Sequence, residues 1–233
     1  MEIFYQPEIK LGYYSLTEDE SKHITKVLRK SVGDKICITD GKGKMFDAEI
    51  IGTNKKALEV NVLSFELKPK QHDYYFHLAV APTKMMERFE WIIEKCVEIG
   101  IDEISPIICE HSERKVIKHE RLVGIAVSAM KQSGNINLPI INQQQTFKEF
   151  IQRNHQENRC IAHCYEKNLP YYLNEVNNDC NLILIGPEGD FSMAEVETAI
   201  NSGYKAVNLG ESILRVETAA ITACITASIK NHK

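Results

Sequence analysis

Hydrophobic positions follow two different periods along the chain. Near the amino terminus, Thr17-Glu18-Asp19-Glu20 has the form of a helix capping box, and Ile24, Val27 and Leu28 then recur at helical spacing. Apolar and polar residues alternate in three later stretches, at 36–38, 46–50 and 58–62. A glycine-rich turn at 40–44 joins the first two stretches into a hairpin. Residues 1–68 therefore predict a helix with a small β-sheet or barrel.

Strands alternate with helices beyond a polar linker, Lys68–Asp73. The predicted strands lie at 74–81, 103–108, 159–164, 181–186 and 205–209. The predicted helices lie at 84–99, 119–133, 147–154, 192–202 and 216–229. Runs such as Leu182-Ile183-Leu184-Ile185 are apolar on both faces, as buried parallel strands are. Residues 74–233 are therefore predicted to form an α/β domain with a mainly parallel sheet and helices on both sides.

The composition is that of an ordinary globular protein. The 233 residues are 43% hydrophobic and 26% charged, with a formal net charge of −4, which excludes disordered and collagen-like chains. No apolar run approaches the ~20 residues of a membrane span. The segment MEIFYQPEIK lacks the basic flank and apolar stretch of a signal peptide. We therefore expect a cytoplasmic protein without a membrane partner.

Cysteine usage agrees with a cytoplasmic location. The seven cysteines are odd in number and include no CxxC pair, so a secreted disulfide framework is excluded. Cys160, His163 and Cys164, with Cys109 and His111 elsewhere in the chain, could be imagined as zinc ligands, but their spacing matches no common zinc site. We expect no metal site.

Two predicted strands end in glycine-bearing segments. One strand runs into Gly186-Pro187-Glu188-Gly189-Asp190-Phe191, followed by a capping box of Ser192 and Glu195. The other runs into Gly210 and continues to Arg215. Ligands bind at the carboxyl ends of strands in open parallel sheets, and glycine allows a ligand to approach the backbone closely. Ordinary strand-to-helix turns use the same residues, so turn chemistry alone does not establish a ligand site.

Several familiar motifs are missing. No GxxxxGK[ST] segment is present, so a P-loop is excluded, and no GxGxxG follows the first strand of the α/β region. A GxSxG nucleophile elbow is also lacking. The candidate chemistry therefore lies in the two glycine-bearing segments.

Basic residues recur at helical spacing in the first region. Lys22, Lys26 and Arg29 lie at i, i+4 and i+7, on one face of the predicted helix, and Arg114 belongs to a second cluster after a predicted strand. Such clusters can contact nucleic-acid phosphates. The alternative is a solvated helix face.

Together these segments resemble the RsmE family of small-subunit ribosomal RNA methyltransferases, members of the SPOUT superfamily. The similar segments keep the family's order along nearly the whole chain: His23–Arg29 with Gly33, Lys84–Gly100, Ser112-Glu113-Arg114, and Gln132-Ser133-Gly134 with Pro139. The most specific are Ile185–Gly189 and Leu209–Ala219, which carry the two glycine-bearing strand ends.

The resemblance implies a fold and an activity. A PUA-like RNA-binding β-barrel would occupy residues 1–68, and a SPOUT methyltransferase domain with a deep trefoil knot would occupy residues 74–233. The protein would be a homodimer that methylates N3 of a uridine in 16S ribosomal RNA of the small ribosomal subunit. S-adenosyl-L-methionine would be bound by residues of the two loops: Ile185, Gly186, Pro187, Glu188, Gly189, Leu209, Gly210, Ser212, Ile213 and Leu214.

Arg215 is the expected catalytic cation, because a guanidinium near the base favours the uridine imide anion. Glu217 is the expected proton acceptor, with Glu188 and Asp190 as alternatives. Glu217 could equally be a helix N-terminal residue favoured by the macrodipole.

The sequence also departs from the family's usual pattern. Asp190 stands where a second glycine is common, and Ser212 and Asn135 stand where arginines are common. The competing functions are a non-enzymatic RNA-binding module on the same fold and a methyltransferase for another RNA nucleotide.

Overall fold

The computed structural model describes residues 2–54, 57–70, 72–153, 158–166, 168–177 and 179–231. Two positions that carry predictions, Gln71 in the linker and Asn154 at a predicted helix end, lie outside the described residues. The chain forms two compact units. The first contains Met1–Lys70 and Val127–Leu138, and the second contains Gln71–Ala126 and Pro139–Lys233.

The first unit is built on a five-stranded sheet of order β1-β3-β4-β5-β2. Its strands are β1 (Ile3–Tyr5), β2 (Gly12–Ser15), β3 (Lys35–Thr39), β4 (Lys44–Asn54) and β5 (Ala57–Leu67). The predicted hairpin is confirmed, since β3 and β4 pair antiparallel from Lys35 with Glu49 to Thr39 with Met45. Alternate apolar side chains of these strands, such as Ile38, Ala48 and Val60, form the buried core.

A segment distant in sequence joins this unit. The carbonyl of Ile136 accepts hydrogen bonds from the Thr39 hydroxyl at 3.2 Å and the Gly43 amide at 3.3 Å. The amide of Leu138 donates to the Gly41 carbonyl at 2.8 Å. These bonds to the hairpin turn explain why residues 127–138 cluster with the first unit although they lie far along the chain.

The amino-terminal helix differs from its prediction. Helix α1 (Glu18–Lys22) is five residues long and continues as a π-helical turn, His23–Val27. Arg29 then has a φ of 56°, which lies in the left-handed region. Because a π turn is wider than an α turn and the chain leaves helical geometry by Arg29, the spacing i, i+4, i+7 does not define one face. The prediction of a basic α-helical face is wrong.

The predicted capping box of α1 is also wrong. Thr17 is the N-cap residue, but its side chain makes no capping hydrogen bond. Glu20 binds the Lys131 ammonium at 2.6 Å instead of returning to the cap. A tertiary ion pair within the first unit has therefore taken the carboxylate that the local motif requires.

The second unit is built on a parallel sheet, as predicted. Its strands are β6 (Tyr75–Val80), β7 (Glu103–Ile108), β8 (Ile140–Ile141), β9 (Gln145–Thr146), β10 (Asn158–Ala162), β11 (Cys180–Ile185) and β12 (Lys205–Val207). The order is β12-β10-β11-β6-β7-β8, with β9 paired to the end of β7, and every pairing is parallel. The apolar run Leu182-Ile183-Leu184 is fully buried in β11.

The helices of the second unit follow the predicted alternation. They are α2 (Met86–Ile99), α4 (Phe147–Ile151), α5 (Tyr172–Glu175), α6 (Met193–Asn201) and α7 (Val216–Lys230), and α3 (His119–Ser133) runs into the segment of the first unit. The predicted capping box at Ser192 and Glu195 is confirmed at the start of α6. Helix α5 and the strands β8 and β9 were missed, because two to four residues carry no periodic signal.

The parallel sheet decides where loops meet. Because all its strands point the same way, the segments that follow β6, β7, β10, β11 and β12 lie at one edge. In the part of the chain that the structure describes, no helix is long and apolar enough to cross a membrane. Nor do three or more His, Cys, Asp or Glu side chains of that part gather to hold a metal ion.

Candidate functional site

The first glycine-bearing loop, Gly186–Phe191, follows β11 and folds back tightly. Gly186 and Pro187 are buried, and a Cβ added to Gly186 would lie 3.1 Å from both the backbone nitrogen and a ring carbon of Phe191. Since one of these atoms belongs to the backbone, a side chain at Gly186 would require Phe191 to shift by a few tenths of an ångström. Close packing therefore favours glycine here.

Asp190 gives this loop its shape. Its φ is 61°, a left-handed conformation that aspartate tolerates better than most residues do. The carboxylate accepts the amide of Phe191 at 2.8 Å and the amide of Cys164, after β10, at 2.9 Å. These contacts explain the departure from glycine at this position, because aspartate keeps the conformation and adds two hydrogen bonds.

Glu188 links the same loop to two other strand ends. Its carboxylate accepts the amide of Lys84, after β6, at 2.9 Å. The carbonyl of Lys84 accepts two hydrogen bonds from Arg114, from Nε at 3.1 Å and from Nη2 at 2.8 Å. The ammonium of Lys84 lies 2.8 Å from the Glu113 carboxylate, and this hydrogen bond raises the pKa of Lys84. Three strand ends are thus joined through Lys84.

These bonds change the interpretation of Arg114, predicted above as an RNA-binding residue. Two of its N–H groups are directed at a backbone carbonyl of its own unit. The guanidinium has further donors, and Arg114 is half-buried. Its structural contact is observed, whereas its contact with RNA stays a prediction.

His111 holds the other side of the loop. Its Nδ1 lies 3.0 Å from the Gly189 carbonyl oxygen and 3.1 Å from the Asp190 carbonyl oxygen. These hydrogen bonds raise the pKa of His111 above its ordinary value. The loop is therefore held from β6, β7 and β10 at once.

The second glycine-bearing loop, which follows β12 and ends at Arg215, is more open. Leu209, Gly210 and Leu214 are half-buried, whereas Ser212 is exposed and Ile213 is 84% exposed. A side-chain hydrogen bond joins the neighbouring Tyr171 phenol to the Glu211 carboxylate within this edge.

Gly210 lies beside empty space. A Cβ added to it would have no heavy atom of the described residues within 4 Å, and its φ of 156° favours glycine. The backbone here is accessible to a ligand. The free space at Gly210 is compatible with a small molecule such as S-adenosyl-L-methionine bound against backbone groups.

Arg215 is the N-cap residue of α7, and its side chain is exposed and makes no capping hydrogen bond. Among the described residues, no hydrogen bond or ion pair of its guanidinium is found. A cation at a helix N-terminus is disfavoured by the helix dipole. Helix stability therefore does not explain arginine at this position.

Glu217 lies in the first turn of α7 and is held differently. Its carboxylate is 3.5 Å from Nη1 of Arg88, which belongs to α2, and its side chain is 13% exposed. Both alternatives of the sequence analysis remain compatible with this position. The contact with Arg88 had no signal in the sequence.

The fold brings most predicted site residues to one edge of the second unit. The two loops follow β11 and β12, with β10 between these strands. Lys22, Lys26 and Arg29 belong to the first unit, where all three side chains are exposed. Lys22 also forms an ion pair with Glu18 at 2.7 Å.

Sequence reasoning missed two residues that shape the first loop, Lys84 and His111. The sequence predicts Lys84 as the start of a helix, and it offers His111 only as a zinc ligand whose spacing matches no common site. Each follows a predicted strand of the parallel sheet directly, at 74–81 and 103–108. That position is the signal by which they could have been found.

Comparisons with known proteins identify the family. The family model of an RNA methyltransferase domain matches residues 70–228, and that of an RNA methyltransferase PUA domain matches residues 16–63. The chain is 32% identical to ribosomal RNA small subunit methyltransferase E of Rickettsia conorii, over 89% of this chain and 86% of that protein. The chain belongs to the ribosomal RNA small subunit methyltransferase E family.

Solved structures agree with membership of the methyltransferase E family. A crystal structure described as a probable rRNA-methyltransferase from Porphyromonas gingivalis is 42% identical, with a TM-score of 0.92 over 99% of this chain and 98% of that one. A ribosomal RNA small subunit methyltransferase E from Neisseria gonorrhoeae, solved bound to S-adenosyl methionine, is 26% identical. Its TM-score is 0.83 over 97% of this chain and 95% of that one. The expected α/β fold with a PUA-like domain is confirmed.

Proposed function

We propose that this protein transfers the methyl group of S-adenosyl-L-methionine to N3 of a uridine in 16S ribosomal RNA of the small ribosomal subunit. The observation that carries the proposal is the similarity, over 97% of the chain, to a family member solved with S-adenosyl methionine bound. The two glycine-bearing loops at one sheet edge support it, because they offer the backbone surface that such a ligand needs. Such a target would place the protein in the cytoplasm.

The methyl donor would be held by the two loops. The proposed contacts are those given by the resemblance, at Ile185–Gly189 and at Leu209, Gly210, Ser212, Ile213 and Leu214. The open space at Gly210 and the fixed backbone around Gly186 support this assignment. When bound, S-adenosyl-L-methionine supplies an already activated methyl group on its sulfonium. The protein then has chiefly to align N3 of the uridine with it.

Arg215 would promote loss of the N3 proton. A guanidinium beside the imide stabilises the anion that forms as the proton leaves. Two observations support this role: the guanidinium has no partner among the described residues, and helix α7 gains nothing from a cation at its N-cap.

Glu217 would accept the proton. It lies two residues after Arg215, and its contact with Arg88 fixes the carboxylate without a hydrogen bond from the backbone. The alternatives are more fully engaged. Asp190 accepts amides with both oxygens, and Glu188 accepts the amide of Lys84. The carboxylate of Glu217 is thus the one of the three without a described backbone donor.

RNA would be bound through exposed cations. Lys22, Lys26 and Arg29 would contact phosphates from the PUA-like unit, and the remaining donors of Arg114 would do so from the methyltransferase unit. These side chains need not share a helix face for this role, since phosphate contacts depend on reach and charge.

The resemblance also implies a trefoil knot and a homodimer, which we include in the proposal. Apolar side chains left exposed on and before α7 support a partner copy: Ile213, Ile225 and Ile229. Complete burial of an isoleucine side chain against a partner would stabilise the interface by about 1.5–3 kcal/mol.

The test combines donor binding with mapping of the product. Calorimetry with S-adenosyl-L-methionine should show binding, and incubation with small ribosomal subunits from cells lacking this gene should add one methyl group at N3 of a uridine. Mass mapping of the RNA locates that group. If calorimetry shows no heat of binding, the remaining hypothesis is a non-enzymatic RNA-binding module. Methylation at another nucleotide would change the assigned target.

A further inference from the structure

His111 connects the carboxyl end of β7 to the loop that follows β11. We propose that His111 is a positioning residue: its imidazolium holds the backbone at Gly189 and Asp190 in the conformation that binds the methyl donor. When the imidazolium loses its positive charge, its hydrogen bonds to these carbonyl groups weaken. The affinity for the donor therefore falls as the pH rises. The inference rests on the proposed function, in that the loop is taken to bind the donor.

The contact is specific and close. Nδ1 of His111 lies between two backbone carbonyl oxygens, at 3.0 Å from that of Gly189 and 3.1 Å from that of Asp190. Carbonyl oxygens only accept hydrogen bonds, so Nδ1 carries the proton. A Cβ added to Gly189 would lie 3.1 Å from Cβ of His111, so the loop rests directly on this side chain.

His111 is itself on a fixed turn. The Ser112 hydroxyl oxygen accepts the amide of Cys109 at 3.0 Å, which closes the turn after β7. The amide of Glu110 donates to the Glu195 carboxylate at 2.9 Å, and Glu195 also belongs to the capping box of α6. The turn is thus tied to the helix that the loop leads into, and His111 can transmit that fixed geometry to the loop.

The surrounding charges favour the imidazolium. The two carbonyl groups raise the pKa of His111 most, and the carboxylates of Glu110 and Glu195 raise it further. The Asp190 carboxylate is bound to the amides of Cys164 and Phe191, and the Tyr165 phenol donates to the Phe191 carbonyl at 2.6 Å. The titratable groups around His111 thus come from four places: Glu195 from α6, Glu110 from the turn after β7, Asp190 from the loop itself, and Cys164 and Tyr165 from the segment after β10.

The direction of the pH effect follows from the raised pKa. The stabilisation is complete below the ordinary histidine pKa of about 6.5 and is lost as the pH rises through the folded-state value. Charge-assisted hydrogen bonds are about twice as strong as neutral ones. A weaker hold lowers the fraction of loops ready for the donor, and apparent affinity falls by the same factor. We expect a decrease of about fivefold across the transition.

The experiment measures the affinity of the full chain for S-adenosyl-L-methionine and S-adenosyl-L-homocysteine by calorimetry from pH 5.5 to 8.5. The second compound has an uncharged sulfur, so it separates the loop effect from repulsion between the imidazolium and a cationic ligand. His111→Asn keeps a hydrogen-bond donor at the Nδ1 position without a titratable charge, and His111→Ala removes the donor. His72→Asn is the matched control, because the ring nitrogens of His72 also lie 2.9 Å and 2.7 Å from backbone carbonyl oxygens, those of Tyr74 and Gly100, near the amino end of β6.

For both compounds, the wild type and His72→Asn should lose about fivefold in affinity with rising pH. His111→Asn should bind with a flat profile, and His111→Ala should bind about fivefold more weakly than the wild type at low pH. A wild-type profile as flat as that of His111→Asn overturns the proposal. So does a pH dependence seen with S-adenosyl-L-methionine alone.

Hydrogen exchange without any ligand separates this inference from the proposed function. Amides at 188–191 of the wild type should become less protected with rising pH, relative to amides of β4 and to the same amides in His111→Asn. If no protein binds either compound at any pH, the proposed donor site is wrong and the exchange result alone decides the role of His111. Equal protection in the two proteins at every pH overturns that role.

Discussion

The two glycine-bearing loops lie at the same edge of one parallel sheet but are built in different ways. The loop after β11 is held from three other strand ends, by the backbone amides of Lys84 and Cys164 and by the side chain of His111. The loop after β12 projects outward, with Ile213 84% exposed and open space beside Gly210. One loop is shaped by its own unit, and the other leaves room for a ligand or a partner.

The helices that follow the loops repeat this contrast. Helix α6 begins with a complete capping box at Ser192 and Glu195. Helix α7 has Arg215 as its N-cap residue, and the Arg215 side chain makes no capping bond. Folding bears the cost of ordering the first loop, so that loop is preorganised for binding. The second loop keeps a cation at a helix N-terminus without a partner among the residues that the structure describes, a local conflict of the kind expected at functional sites.

Replacing Arg215 should have the largest effect. Arg215→Ala should lower single-turnover methylation by about one to three orders of magnitude, because one preorganised electrostatic group is removed. Arg215→Lys keeps the charge but loses the planar fork and should be partly active. Raising the pH should partly rescue Arg215→Ala, since hydroxide then supplies the imide anion.

A second arginine variant separates function from stability. Arg215→Ser should be as slow as Arg215→Ala, yet unfold at higher urea concentration, because serine caps a helix and the unfavourable cation is gone; the gain should be about 1 kcal/mol. Donor affinity is measured separately by calorimetry. A variant that methylates normally, or fails only because it no longer binds donor, would remove Arg215 from the chemical step.

Filling the open side of the second loop should have the next largest effect. Gly210→Val places a branched side chain where no heavy atom of the described part of the chain lies within 4 Å of Cβ. It should weaken donor binding by at least about tenfold, or 1.4 kcal/mol. Gly12→Val is the control, because Gly12 also has a positive φ and open space but lies in the other unit. Unchanged donor affinity in folded Gly210→Val would refute this donor site.

Variants of the exposed cations in the first unit test whether RNA binding there can be separated from donor binding at the two loops. Changing Lys22, Lys26 and Arg29 to alanine should weaken RNA association by about five- to tenfold and reduce the salt slope by about two, because fewer counterions are released. Lys22 should contribute least, since it is paired with Glu18. Donor affinity should not change. Normal methylation by the triple variant at moderate salt would mean that these side chains are only solvated.

Loosening the first loop should lower the free energy of unfolding. Asp190→Ala removes the acceptor of two amides and places alanine in a left-handed conformation, which together should cost about 2–3 kcal/mol in urea unfolding. Asp190→Gly should cost less, because glycine relieves the backbone strain. Asp190→Asn, which keeps one acceptor oxygen, should cost least. An alanine variant as stable as the wild type would show that the loop is not held through Asp190.

The smallest expected effect concerns the helix caps. Ser192→Ala should destabilise the protein by about 1 kcal/mol, because a side-chain capping bond is lost at the end of the first loop. Thr17→Ala should change stability by only a few tenths of a kcal/mol, since the Thr17 side chain makes no such bond. Equal losses in the two variants would contradict the difference between these caps.

The sequence predicted the second unit well for a definite reason. Its strands and helices are long enough to show their periods, so β7 (Glu103–Ile108) and α3 (His119–Ser133) match their predicted bounds. The first unit was harder to predict from the sequence. Two of its strands have three and four residues, and its helix changes to a π-helical turn at His23. Short elements are determined by their neighbours more than by their own pattern.

The candidate site also has features that the sequence predicts and features that it does not. The glycines of the two loops could be found from the sequence, because each follows an apolar strand and belongs to a segment that resembles a known family. Partners such as Arg88 for Glu217 and Arg114 for the Lys84 carbonyl could not be found, since each pair is joined only when distant elements pack. The positions were predictable, and the contacts between them were not.

By itself, the sequence determined the alternation of strands and helices, the parallel sheet and the two loops at its carboxyl edge. These follow from local periodicity and from the apolar runs of strands buried on both faces. Only the tertiary structure decided that Glu20 pairs with Lys131 rather than capping its helix, that residues 127–138 join the first unit, and that His111 supports the first loop. In each case a polar group could be satisfied locally or by a distant partner, and packing of the whole chain determined which partner was within reach.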